Sequence, residues 1–79
     1  MKQLIKKFYD HGARGLFHQG QFSIANWFGN IEFQISQGNA PIVCVRIVDD
    51  KAVIEKLSVR ADRYIELVRE VVSQHHQLA

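Results

Sequence analysis

Two Gly-Asn dipeptides, Gly29-Asn30 and Gly38-Asn39, constrain the fold of this 79-residue chain more than any other feature. Each separates runs rich in β-branched and aromatic residues, and a two-residue turn with Gly first suits a type II′ hairpin, whose twist matches that of the strands it joins. Side chains alternate along a strand, so each turn also decides which residues share a face. The first turn sets Phe28 against Ile31, Asn26 against Phe33 and Ile24 against Ile35. Trp27 then meets Glu32, and Ala25 meets Gln34, on the opposite face. The second turn, with Gln37 opposite Ala40, sets Ile35 beside Ile42, Phe33 beside Cys44 and Ile31 beside Arg46. The third connection, Asp49-Asp50-Lys51-Ala52, has no Gly. The register that pairs opposite charges there sets Val48 against Val53, Arg46 against Glu55 and Cys44 against Leu57.

Carried through, these turns predict a four-strand antiparallel meander over residues 21–59. Its inner face holds Ile24, Phe28, Ile31, Phe33, Ile35, Ile42, Cys44, Val48, Val53, Leu57 and Val59, interrupted by Arg46 and Glu55. Its outer face is polar on the first two strands apart from Ala25 and Trp27. On the third it becomes apolar, with Val43, Val45 and Ile47 joined by Ile54 of the fourth, which also carries Lys56 and Ser58 there.

Two helices flank the meander. Leu4 with Phe8 and Ile5 with Tyr9 form i,i+4 pairs over residues 2–11, with Lys2, Lys6, Lys7 and Asp10 facing out. His11 suits the negative end of the helix dipole, and Gly12 suits the left-handed position that stops the helix. Residues 12–20 hold three glycines, and Leu16-Phe17 within them reads as a tuck under the sheet or a short edge extension. Over residues 60–75, Tyr64, Ile65, Leu67, Val68, Val71 and Val72 fall on one helical stripe, the cover that the inner sheet face needs. The expected architecture is α+β: a two-layer sandwich of N-terminal helix, four-strand antiparallel meander and C-terminal helix, forming a single domain over residues 1–79. A three-strand sheet is the alternative.

A chain this short builds one modest core and is a candidate for stabilisation by self-association. With 47% hydrophobic and 23% charged residues it reads as globular rather than disordered. The single Cys44 cannot form an intramolecular disulfide and reads as a free core thiol, while no run of about 18 apolar residues exists. The expectation is a cytoplasmic protein that does not associate with membranes.

No nucleophile elbow or Walker loop occurs, the expected register brings no paired carboxylates together on one face, and the glycine-rich loop follows a helix instead of preceding one as a phosphate loop does. His11, His18, His75 and His76 match no metal-ligand spacing. The chain therefore reads as a non-enzymatic protein without cofactor or metal. Three sets of residues stand out as candidate sites. Trp27, Val43, Val45, Ile47 and Ile54 form an outer apolar patch suited to a protein partner or a second copy of the chain. Arg46, Glu55 and Asn26 form a polar group that serves as a structural ion pair or as the floor of a ligand site. Lys2, Lys6, Lys7 and Arg14 form a basic N-terminal segment that could meet nucleic acid. The favoured function is a small interaction module of adaptor, inhibitor or regulatory type, homodimeric through the outer sheet face. Nucleic-acid binding is the alternative.

Overall fold

The computed structural model describes residues 1–26 and 32–79. Its α+β architecture has an N-terminal helix, a sheet and a C-terminal helix, as the periodicities imply, but the sheet has six strands. The elements are α1 (Lys2–Asp10), β1 (Leu16–Gln19), β2 (Phe22–Asn26), β3 (Glu32–Gln37), β4 (Ala40–Val48), β5 (Lys51–Lys56), a 3₁₀ helix (Val59–Arg63), α2 (Ile65–Ser73) and β6 (Gln77–Leu78). Spatial order follows chain order, with every pair antiparallel except β5 and β6.

The two extra strands come from the ends of the meander. Leu16-Phe17 belongs to an edge extension, β1, which returns through a Gly20-Gln21 turn to pair with β2, Gly20 taking a φ of +59°. At the other edge the chain leaves β5, passes through the 3₁₀ helix and α2, and returns as β6 parallel to β5. There Leu78 pairs with Ala52, and the Ala79 N–H donates to the Ala52 carbonyl. Residues 77–79 therefore extend the sheet at the β5 edge.

The β2–β3 register agrees with the turn argument, with Ile24 opposite Ile35 and Asn26 opposite Phe33. The expected Phe28–Ile31 pair lies outside the described residues. The Gly38-Asn39 turn also behaves as expected at its base: Gln37 opposes Ala40, and Gly38 has a φ of +61°. Two residues further on, the ladder shifts. Ser36 opposes Pro41, but Ile35 opposes Val43, leaving Ile42 as the extra residue of a β-bulge. Proline has no N–H to give to a ladder, and bulges are among the few places a strand tolerates it. Ile42 and Val43 are consequently both fully buried, and the Ile42 carbonyl accepts the Leu57 N–H at 2.8 Å.

The bulge overturns the rest of the expected register. Phe33 faces Val45 where Cys44 was expected, and Ile35 faces Val43 where Ile42 was expected. A one-residue slip moves every later side chain to the other face. The third turn adds a smaller correction. Asp49 and Asp50 both take positive φ, +52° and +64°, as the central pair of a type I′ turn does. The loop is thus two residues long and sets Val48 opposite Lys51, Arg46 opposite Val53 and Cys44 opposite Glu55. Val48, Leu57 and Val59, expected inside, are exposed.

The core lies between one sheet face and the two helices. Leu4, Ile5 and Phe8 of α1 and Val68, Val71 and Val72 of α2 close over Ile24, Phe33, Ile35, Ile42, Val43, Val45 and Ala52. The Phe8 ring packs on Phe33 at a centroid distance of 4.8 Å, and edge-to-face on Phe17 at 6.3 Å. α2 is shorter than the expected helix. The Ser58 hydroxyl accepts the Arg60 N–H and starts a 3₁₀ turn, which seats Ala61 in the core before α2 begins.

Val45 is the sharpest test of this packing. As an outer residue it would accept a lysine with the fold intact; as a fully buried one it cannot. An unpaired ammonium at that site costs on the order of 3–5 kcal/mol, comparable to the whole stability of a marginal domain. Val45→Lys should therefore lose its cooperative unfolding transition in circular dichroism, whereas retention of a native spectrum and transition would return Val45 to the surface.

Candidate functional site

With both helices on one face, the opposite face of the sheet carries no covering element among the described residues. The register places Leu16, Ala25, Gln34, Cys44 and Glu55 in one row across it, with Glu32, Arg46 and Val53 in the adjoining row. Cys44 is buried despite lying on this open face, and its thiol donates to the Glu32 carboxylate, Sγ to Oε1 at 2.9 Å. Burial, and then the hydrogen bond and charge of Glu32, push the thiol pKa up to about 12. The side chain is therefore a neutral donor near pH 7, not a nucleophile. Arg46 sits diagonally from Glu55 and bridges it, Nη2 to Oε2 at 3.4 Å, with both side chains about half exposed. In that setting the pair contributes only about 0–1 kcal/mol to stability.

Exposed Leu16 (60%) and Val48 (50%) mark two margins of this face, which is otherwise built of small, neutral or mixed-charge residues. The residues expected to form an interaction patch lie elsewhere. Val43 and Val45 are fully buried in the core beneath the helices, and Ile47 and Ile54 pack against that core. The bulge turned them inward; Trp27, the fifth of the set, lies outside the described residues. Asn26 is separated from Arg46 and Glu55 by the same reversal. It stays on the helix side, where its Nδ2 donates to the Glu32 backbone carbonyl at 3.2 Å.

The basic N-terminal residues differ in their surroundings. Lys2 reaches across to Glu70 of α2 at 3.8 Å, while Lys7 lies 5.7 Å above the Phe17 ring and lines a cleft with Gln3, His18 and Gln19 at the β1 edge. Lys6 and Arg14 are exposed.

Two further clefts sit at opposite ends of the sheet. At the end where the helices finish, a hollow of about 330 Å³ is lined by Tyr9, Gly12, Ala13, Phe33, Ile47, His75 and His76. The Tyr9 ring stacks on His75 at 3.9 Å, nearly parallel, and its buried hydroxyl has no hydrogen-bond partner among the described residues. Burial raises the Tyr9 pKa, so the phenol stays protonated. His76 is held below the ordinary histidine value, first by burial and then by the neighbouring His75. At the other end, the Gly20-Gln21 and Gly38-Asn39 turns meet the 3₁₀ helix around a cleft of about 490 Å³. It is lined by Gln21, Gln37, Gly38, Arg60, Arg63 and Tyr64. Periodicity alone does not single out either arginine: Arg63 falls on the polar side of the helical stripe, and Arg60, one turn before Tyr64, reads simply as the start of the helix.

No group of three or more metal-ligating side chains occurs among the described residues, and none of their helices is long and apolar enough to cross a membrane. Comparison with known proteins finds no matching family model, no matching curated relative and no matching solved structure.

The His76 environment has a consequence for stability. A histidine whose pKa is lowered by folding binds its proton more readily in the unfolded chain. Its contribution is complete above the unfolded value near pH 6.5 and is lost as pH falls from there towards the lowered, folded value. Urea midpoints taken from pH 7.5 down to 5 should fall for the wild type and fall less for His76→Gln. Equal losses in the two proteins would show that His76 is not the group responsible.

Proposed function

We propose that this chain is a small non-enzymatic interaction module whose working surface is the helix-free face of the sheet, and that its first partner is a second copy of itself. One observation carries the reading: both helices pack on a single face, and among the described residues no element covers the opposite face of the six-strand sheet. The chemistry of that face suits an isologous contact. Its centre is made of Ser23, Ala25, Gln34, Ser36 and Cys44, which let two sheets approach closely, and Leu16 and Val48 stand exposed at its margins. Burying each of those two side chains would contribute about 1.5–3 kcal/mol towards the cost of association.

Charge points the same way. Glu32, Arg46 and Glu55 place both signs on one surface, so a two-fold rotation can set Arg46 of one copy against Glu32 of the other. The single free thiol, kept neutral within the face, suits a reducing compartment such as the cytoplasm.

Ala25 provides the test, because it lies in the middle of the surface and outside the core. The wild type should sediment as a concentration-dependent dimer. Ala25→Arg should keep the native circular dichroism spectrum and sediment as a monomer. A wild type that remains monomeric at the highest concentrations reached would contradict the reading.

A further inference from the structure

The cleft at the turn end of the sheet has a chemistry that the sheet-face reading does not use. Arg60 and Arg63 are three residues apart within one 3₁₀ helix, the spacing at which side chains of that helix eclipse, so both project on the same side. Both line the cleft, and neither guanidinium is paired with a carboxylate among the described residues. The acid nearest in sequence, Asp62, points away: its Oδ1 accepts from Lys56 Nζ at 2.7 Å and borders a different hollow with Leu57 and Ser58.

The other walls carry no charge. Gln21 and Gln37 offer side-chain amides, and Tyr64 offers a ring held edge-to-face against Phe22 at 5.0 Å. The cleft thus concentrates two permanent cations among neutral hydrogen-bonding groups at the ends of two hairpins.

We infer that this cleft binds a phosphate monoester, with its dianionic group held between Arg60 and Arg63 and its organic body lying along Tyr64. Charge selects phosphate over a carboxylate, because one carboxylate balances one guanidinium whereas a monoester near neutral pH carries close to two negative charges. Guanidinium forks also match the geometry of phosphate oxygens, and the amides of Gln21 and Gln37 can donate to those left over. The volume, about 490 Å³, falls within the range of small-molecule sites, leaving room for an organic body beside the phosphate.

The probes are inorganic phosphate and phenyl phosphate, titrated at low ionic strength into the ¹⁵N-labelled full chain. Both should shift the amides of Gln37, Gly38, Arg60, Arg63 and Tyr64, with phenyl phosphate binding several-fold more tightly because its ring meets Tyr64. Arg60→Gln and Arg63→Gln should each weaken binding by about tenfold, the size of one charged hydrogen-bond contribution, and the double variant should abolish it. Both side chains are exposed and unpaired with acids, so the variants should keep the wild-type spectrum elsewhere. Lys6→Gln with Lys7→Gln should change nothing. Acetate titrated to the same concentration should leave these amides unmoved. Unchanged phosphate binding in the double arginine variant, or equal shifts with acetate, would overturn the inference. So would a single-stranded oligonucleotide that shifts these amides while neither phosphate nor phenyl phosphate does.

Discussion

The extra residue at Ile42 is the constraint on which the rest of this structure depends. It costs one irregular step in the central ladder between β3 and β4, and it brings both Ile42 and Val43 into the core. Beyond it, alternation runs in the opposite phase. Val45 and Ile47 then join Phe33 and Ile35 beneath α1 and α2, while Cys44 and Arg46 turn to the open face and meet Glu32 and Glu55. Without the bulge, the helix-covered side would have to bury Arg46 and the open side would expose two valines and an isoleucine. One inserted residue therefore resolves the conflict between the hydrophobic pattern of β4 and that of its neighbours.

The same step divides the molecule into surfaces of different chemistry. The open sheet face combines small residues with a mixed-charge cluster around a protonated thiol. The two sheet ends are unlike each other. Where the helices finish, Tyr9, His75 and His76 form an aromatic, titratable hollow. Where the hairpins turn, two arginines face neutral amides. The two proposals, a sheet-face contact and a small-anion site, lie at separate places on one small scaffold.

Much of the architecture is legible in the residues. The 3.6-residue periodicity of Leu4, Ile5 and Phe8 marks α1, and that of Val68, Val71 and Val72 marks α2. The Gly-Asn turn before Ala40 sets the base of its hairpin. What escapes has identifiable causes. β6 is two residues long and is held by the edge of β5, so no local pattern announces it. β1 lies in a glycine-rich stretch and gains its identity from pairing with β2. The 3₁₀ turn interrupts an otherwise continuous helical stripe because Ser58 captures the Arg60 N–H. The bulge did leave a trace in the sequence: Pro41 stands inside an apolar run that is central to the sheet, where proline is tolerated chiefly at irregularities. Extending the Gly38-Asn39 register rigidly past that proline misplaced the candidate patch Val43, Val45, Ile47 and Ile54. The arginine cleft depends on loops converging from three parts of the chain, which no linear spacing reveals.

The phase of β4 decides which residues face the helices and which face outward, and cross-strand nuclear Overhauser effects read that phase directly. In an antiparallel ladder, directly opposed residues bring their backbone protons closest, and a one-residue shift exchanges which pairs are seen. The structure predicts contacts linking Ile35 with Val43, Phe33 with Val45 and Arg46 with Val53, together with Ser36 with Pro41 on the turn side of the bulge. A continuous set linking Ile35 with Ile42 and Phe33 with Cys44 would contradict it, returning Val43 and Val45 to the open face and Cys44 to the core.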